Sequence, residues 1–63
     1  MNKLTRREKE VAEKLASGKR QSFIANELVI SRRTVYNHVR SIREKIGAGS
    51  AFEAAVKLAI SEK

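Results

Sequence analysis

The sequence predicts an all-α fold of four helices, and three observations carry that prediction. Proline is absent and glycine occurs only at positions 18, 47 and 49, so the natural breaks fall near Gly18 and in the stretch from Gly47 to Ser50. Two segments, Thr5-Arg6-Arg7-Glu8 and Ser50-Ala51-Phe52-Glu53, have the form of a capping box. Between the breaks, apolar residues recur three and four apart, the period of a helix with one buried face. A chain of 63 residues makes a single domain whose buried fraction is small, so stability is marginal and no enzyme cleft fits beside the core. With no cysteine and one histidine, His38, neither a disulfide nor a thiolate or zinc site can brace it.

The first helix is expected from about Arg6 to Ala16. The Thr5 hydroxyl and Glu8 carboxylate satisfy donors at its start, and Gly18 lies near its end. Val11, Ala12, Leu15 and Ala16 form its inward stripe, while Arg6, Arg7, Lys9, Glu10, Glu13 and Lys14 cover the rest. Leu4 precedes the cap as a hydrophobic staple would, but the position it should touch is Lys9, so Leu4 is expected to pack elsewhere.

The second helix, about Gln21 to Leu28, offers Ile24, Ala25 and Leu28 to the core. Val29 and Ile30 then lead to Ser31, whose hydroxyl suits the cap of a third helix running from about Arg32 to Ile46. A short helix joined by so tight a turn to a longer basic one is the arrangement of a helix-turn-helix. The third helix divides by angle. Val35, Val39, Ile42 and Ile46 face inward, and Arg33, Tyr36, Asn37, Arg40 and Arg43 lie opposite. Arg can donate two bonds to a guanine edge, Asn can pair with adenine in the same way, and Tyr can meet a thymine methyl or a phosphate. A merely solvated face would more often mix Lys with Glu.

A fourth helix should follow Ser50 and run from about Ala51 to Ser61. Phe52, Ala55, Val56 and Ala59 make one apolar face, and Ala51, Ala54 and Leu58 extend it sideways. That arc is wider than one core contact needs. Two uses stand open for Ala51, Ala54 and Leu58: a two-fold dimer contact in which small residues admit a second copy of the helix, or service in the domain's own core.

Charge agrees with this division. The net charge is +7, with a pI near 10.4, which favours a polyanionic partner or simply a well-solvated surface. Seven basic residues against three acidic lie in Met1 to Arg20, and five against one in Ser31 to Ile46, while Gly47 to Lys63 balances two with two. The neutral last segment is the one expected to face protein. No apolar run reaches membrane-spanning length, no signal peptide precedes the first periodic segment, and a membrane partner is not expected. A cytoplasmic location is expected, on the nucleoid when bound. Paired carboxylates, a nucleophile with its base, a phosphate loop and metal spacing are all missing, so neither catalysis nor a cofactor is expected.

Taken together, Leu4-Thr5-Arg6-Arg7-Glu8-Lys9-Glu10-Val11, Gly18 followed by Ile24-Ala25-Asn26-Glu27-Leu28, Ile30-Ser31 with Thr34-Val35-Tyr36-Asn37-His38-Val39, and Lys45-Ile46-Gly47 resemble the LuxR/FixJ-type, or GerE-like, DNA-binding domain of bacterial transcription regulators. The resemblance covers nearly the whole chain. It implies a compact four-helix helix-turn-helix domain over residues 1–63, with the third helix in the major groove of double-stranded DNA, dimerisation through the fourth, and inverted-repeat sites. Position by position, it implies base reading by Tyr36, Asn37 and Arg40, and phosphate contacts from Arg33, Thr34 and Lys45. Arg32 and Arg43 join the phosphate set as cations beside them. His38 matches a frequent family histidine, read as a packing or phosphate-contacting residue. Phe23 stands where the family usually carries a polar residue and is a candidate exposed partner contact, and Ala51 and Ala48-Gly49 depart from the usual connection to the fourth helix. Regulators of this type usually join the domain to a phosphorylatable receiver or a sensor, so this chain reads either as an output domain or as a stand-alone regulator.

Two other readings remain. The opening motif also resembles region 4 of bacterial sigma factors, a related promoter-reading helix-turn-helix that touches RNA polymerase, which makes the polymerase a further candidate partner. Alternatively, the fold serves as a protein-interaction module using Phe23 and the fourth helix.

Overall fold

The computed structural model describes residues 4–61, which form four helices: α1 (Arg6–Ala16), α2 (Gln21–Leu28), α3 (Arg32–Ile46) and α4 (Ala51–Ser61). Among the described residues there is no strand, so the fold is all-α. The helix starts follow local chemistry. At α1 the Glu8 N–H donates to Thr5 Oγ1 (3.1 Å) and the Thr5 N–H donates to Glu8 Oε1 (2.9 Å), a complete capping box. At α3 the Thr34 N–H donates to Ser31 Oγ (3.0 Å). At α4 the box is displaced by one residue. The Glu53 N–H donates to Ser50 Oγ (3.1 Å), but the Glu53 carboxylate accepts from the N–H of Gly49 (2.9 Å) instead of from Ser50.

The first three helices end in one way, with a residue in the left-handed region and a backbone N–H reaching back five residues. Lys19 donates to the Lys14 carbonyl (3.1 Å), Ile30 to Ala25 (3.0 Å) and Ala48 to Arg43 (2.9 Å). The left-handed residues are Gly18 (φ +85°), Val29 (φ +54°) and Gly47 (φ +73°). Glycine meets that demand without strain, whereas the β-branched Val29 does not, and its side chain is 87% exposed. The turn between α2 and α3 is therefore held in a costly conformation by the packing on either side of it.

The core gathers Val11, Ala12 and Leu15 of α1, Ile24 and Ala25 of α2, and Val35, Val39 and Ile42 of α3, with Leu4, Leu28, Ile30 and Ile46 packed against it. Leu4 thus leaves the staple position and joins the core. α1 and α3 each contact all three other helices, while α2 and α4 do not meet.

α4 lies against α1 through its small residues. Ala54 is completely buried, and Ala51, Ala55 and Leu58 pack on the core. Of the two uses open to these residues, service in the domain's own core accounts for their burial. Ala54 has no surface left for a second chain, and Ala51 and Leu58 are half-buried in their own domain. The outward face instead carries Phe52 (79% exposed), Val56 (41%) and Ile60 (65%). The reason is close approach: alanines let the backbone of α4 sit near α1, where phenylalanine would hold the helices apart.

Candidate nucleic-acid interface

Because Val35, Val39 and Ile42 anchor α3 from behind, the opposite stripe is carried outward. Tyr36 is 53% exposed, and Arg32, Arg33, Asn37 and Arg40 are exposed beside it. Arg40 has only a loose, exposed approach to Glu44 one turn on (3.6 Å), an interaction worth little in water, so its guanidinium stays available. Thr34 is half-buried, and its hydroxyl lies 2.9 Å from that of Ser31 at the helix start.

Tyr36 occupies the centre of this surface. On one side it borders an open depression of about 430 Å³ shared by Arg32 and Arg33 of α3 with Arg20, Gln21 and Ser22 at the start of α2. On the other it borders a smaller one of about 240 Å³ with Arg40, Arg43, Glu44 and Ala48. Arg20 is the N-cap of α2 but its side chain makes no capping bond, so that helix start keeps unsatisfied backbone donors beside three arginines. Sequence reasoning missed Arg20, Gln21 and Ser22. The available signal was an arginine where a Ser, Thr or Asp cap would ordinarily stand.

Two of the expected phosphate contacts have prior engagements. Arg43 is half-buried and donates from Nη2 to the Gly49 carbonyl (2.7 Å), tying α3 to the connection before α4. Its Nε is enclosed without a hydrogen-bond partner. Lys45 lies on the flank of α3 that faces α1, where Nζ donates to Glu8 Oε1 (2.7 Å). Neither resembles the freely projecting Arg32 and Arg33. His38 is half-buried between the exposed stripe and the core.

Glu8 ties α3 to α1, and the sequence reading gave it only a capping role. Its carboxylate is buried. Oε1 accepts from the Thr5 N–H and from Lys45, and Oε2 accepts from the Ser41 hydroxyl (2.6 Å). The hydrogen bond from Lys45, then those from Ser41 and Thr5, hold its pKa at about 2 instead of 4.5 against the opposing effect of burial. One side chain thus caps α1 and grips α3 at two points a turn apart. Elsewhere Lys14 reaches from α1 to Glu27 of α2 (2.6 Å), which lowers the Glu27 pKa.

A braced helix with an exposed Arg, Asn and Tyr stripe, flanked by cations and preceded by a short helix and a tight turn, is the architecture of a helix-turn-helix DNA-binding domain. The family profile of bacterial regulatory proteins, luxR family, matches residues 2–58. The chain belongs to that family, whose helix-turn-helix domains are those of DNA-binding transcription regulators and not of enzymes. It is similar to the spore germination protein GerE of Bacillus subtilis, at 44% identity over 55 residues that take in 87% of this chain and 74% of GerE. It is also similar to the transcriptional regulatory proteins UhpA of Escherichia coli, at 44% identity over 55 residues (87% of this chain), and DesR of Bacillus subtilis, at 45% over 56 residues (89%). The matched segment spans only 28% of UhpA and of DesR. No solved structure matches the chain significantly.

Proposed function

We propose that this chain reads a specific DNA sequence by laying α3 in the major groove. The observation that carries the reading is the outward stripe of Tyr36, Asn37 and Arg40, three side chains able to address base edges, on a helix whose other face is fully committed to the core. Arg32, Arg33 and Thr34 border one phosphate strand, and the depression that Arg32 and Arg33 share with Arg20, Gln21 and Ser22 gives that strand a seat at the free start of α2. Arg43 and Lys45 act mainly by holding α3 in place. Any phosphate contact they make is secondary to their bonds with Gly49 and Glu8.

A monomer touching a handful of phosphates binds weakly and loses affinity steeply with salt, so useful affinity needs two copies. The second copy joins through α4, on the face of Phe52, Val56 and Ile60 and not on Ala51, Ala54 and Leu58. The domain's extents of 28 × 20 × 19 Å are compatible with two copies on half-sites one helical turn, about 34 Å, apart. An inverted repeat follows from the two-fold axis, and a cytoplasmic, chromosome-bound location follows from the substrate. No helix among the described residues is long and apolar enough to cross a membrane.

The test is selection from a randomised duplex library at two salt concentrations, with Tyr36→Ala, Asn37→Ala and Arg40→Ala in parallel. An inverted repeat whose half-site preferences change with these residues is expected. Binding that enriches no motif and vanishes at moderate salt would leave only backbone attraction and overturn the reading.

A further inference from the structure

We propose that the gap between α2 and α4 is a docking groove for an acidic, amphipathic segment of a partner protein. The proposal does not depend on base reading by α3, but it shares Arg20 with the proposed phosphate seat and Phe52 with the proposed dimer face, so the segment competes with both contacts. α2 and α4 do not meet, and a recess of about 340 Å³ opens between α4 and the turn that leads from α1 into α2. Its floor is apolar, made by Leu15, Ala51 and Ala55, and the Phe52 ring stands along it, 79% in water. Its rim carries Lys19 and Arg20, and no acidic residue lines it. Among the described residues neither cation forms an ion pair. The Lys19 ammonium lies 5.0 Å from the centre of the half-exposed Phe23 ring, which extends the apolar surface beyond the groove.

The chemistry of the occupant follows from this combination. A phosphate strand would use the cations but gain nothing from an apolar floor or from Phe52. A purely apolar segment would leave the two unpaired cations unanswered at the edge of the contact. A segment with one or two large apolar side chains and neighbouring carboxylates meets both demands, the apolar groups covering Phe52 and filling the gap while the carboxylates pair with Lys19 and Arg20.

The test uses the whole chain. A random peptide display library is selected on the immobilised protein and on its Lys19→Glu variant. The best peptide is then synthesised with a scrambled control and titrated into the isotope-labelled protein. The expected result is enrichment of peptides combining Asp or Glu with large apolar residues, amide shifts centred on Gly18, Gln21, Phe52 and Ala55, and affinity about fivefold weaker in Lys19→Glu. The scrambled peptide, equal in charge, should bind more weakly. Should Lys19→Glu disturb amides throughout the domain, Lys19→Gln replaces it. Enrichment of no motif, enrichment without acids, an unchanged set on the variant, or shifts centred on α3 overturns the proposal. Phosphatidylserine vesicles perturbing the same amides while acidic peptides do not would make the surface a lipid contact and overturn it equally.

Discussion

Replacing Glu8 by Gln keeps the size of the side chain but removes the charge on which Thr5, Ser41 and Lys45 converge. A buried carboxyl held at about 2 when its ordinary value is 4.5 contributes at most about 3 kcal/mol at neutral pH. An amide that still accepts one of the three bonds recovers part of this, so Glu8→Gln should cost about 2 kcal/mol at pH 7. In a domain of this size that lowers Tm by about 10 °C, a large share of a marginal stability. The pH dependence has a definite sign. Because the folded pKa is depressed, the contribution is complete above 4.5 and is lost as the pH falls towards 2. Urea denaturation of both proteins at pH 7 and near pH 2 measures the difference directly. The gap should close to under about 1 kcal/mol at the acid end, where the native carboxyl is itself half protonated. If the variant is too unstable to titrate, the wild-type profile alone should fall between pH 4.5 and 2. An equal gap at both pH values, or none at pH 7, would refute the assignment of Glu8 as the charged tie between α1 and α3.

Val29→Gly should relieve the left-handed strain at the turn and raise stability by about 0.5 to 1 kcal/mol, read as a rise in Tm; a fall would mean that the exposed side chain packs in a way its 87% exposure denies. Arg40→Ala should cost about 1 to 3 kcal/mol on the preferred site and relax preference at one base pair, whereas Arg33→Ala should weaken all sequences alike and reduce the salt slope by about one. Equal loss on cognate and random DNA for Arg40→Ala would remove it from the base-reading set. On α4, Ile60→Asp should leave the fold intact and abolish dimers on an inverted repeat in sedimentation, while Ala54→Leu should destabilise the monomer by about 1 to 3 kcal/mol through overpacking against its own core. Glu53→Ala should speed hydrogen exchange at Gly49, because the Gly49 N–H that lowers the Glu53 pKa loses its acceptor.

The sequence by itself determined what depends on near neighbours. Thr5 and Ser31 fix helix starts because their hydroxyls reach a backbone donor three residues on, Gly18 and Gly47 mark helix ends because they take a positive φ without strain, and the spacing of Val35, Val39 and Ile42 turns Tyr36, Asn37 and Arg40 outward. Family membership was legible for the same reason, since those local signals recur in a fixed order along nearly the whole chain. Tertiary structure alone decided which charges are spent and which apolar faces are covered. Lys45 and Arg32 are both cations on α3, yet Lys45 meets a carboxylate 37 positions away and Arg32 meets none among the described residues. α4 carries apolar residues on two sides, and only its packing against α1 and α3 selects the alanine side for burial and leaves Phe52, Val56 and Ile60 exposed. The depression that brings Arg20 beside Arg32 and Arg33 likewise exists only once α2 has been laid across α3. Periodicity assigns residues to a side of a helix, but burial and pairing belong to whatever the fold places opposite that side.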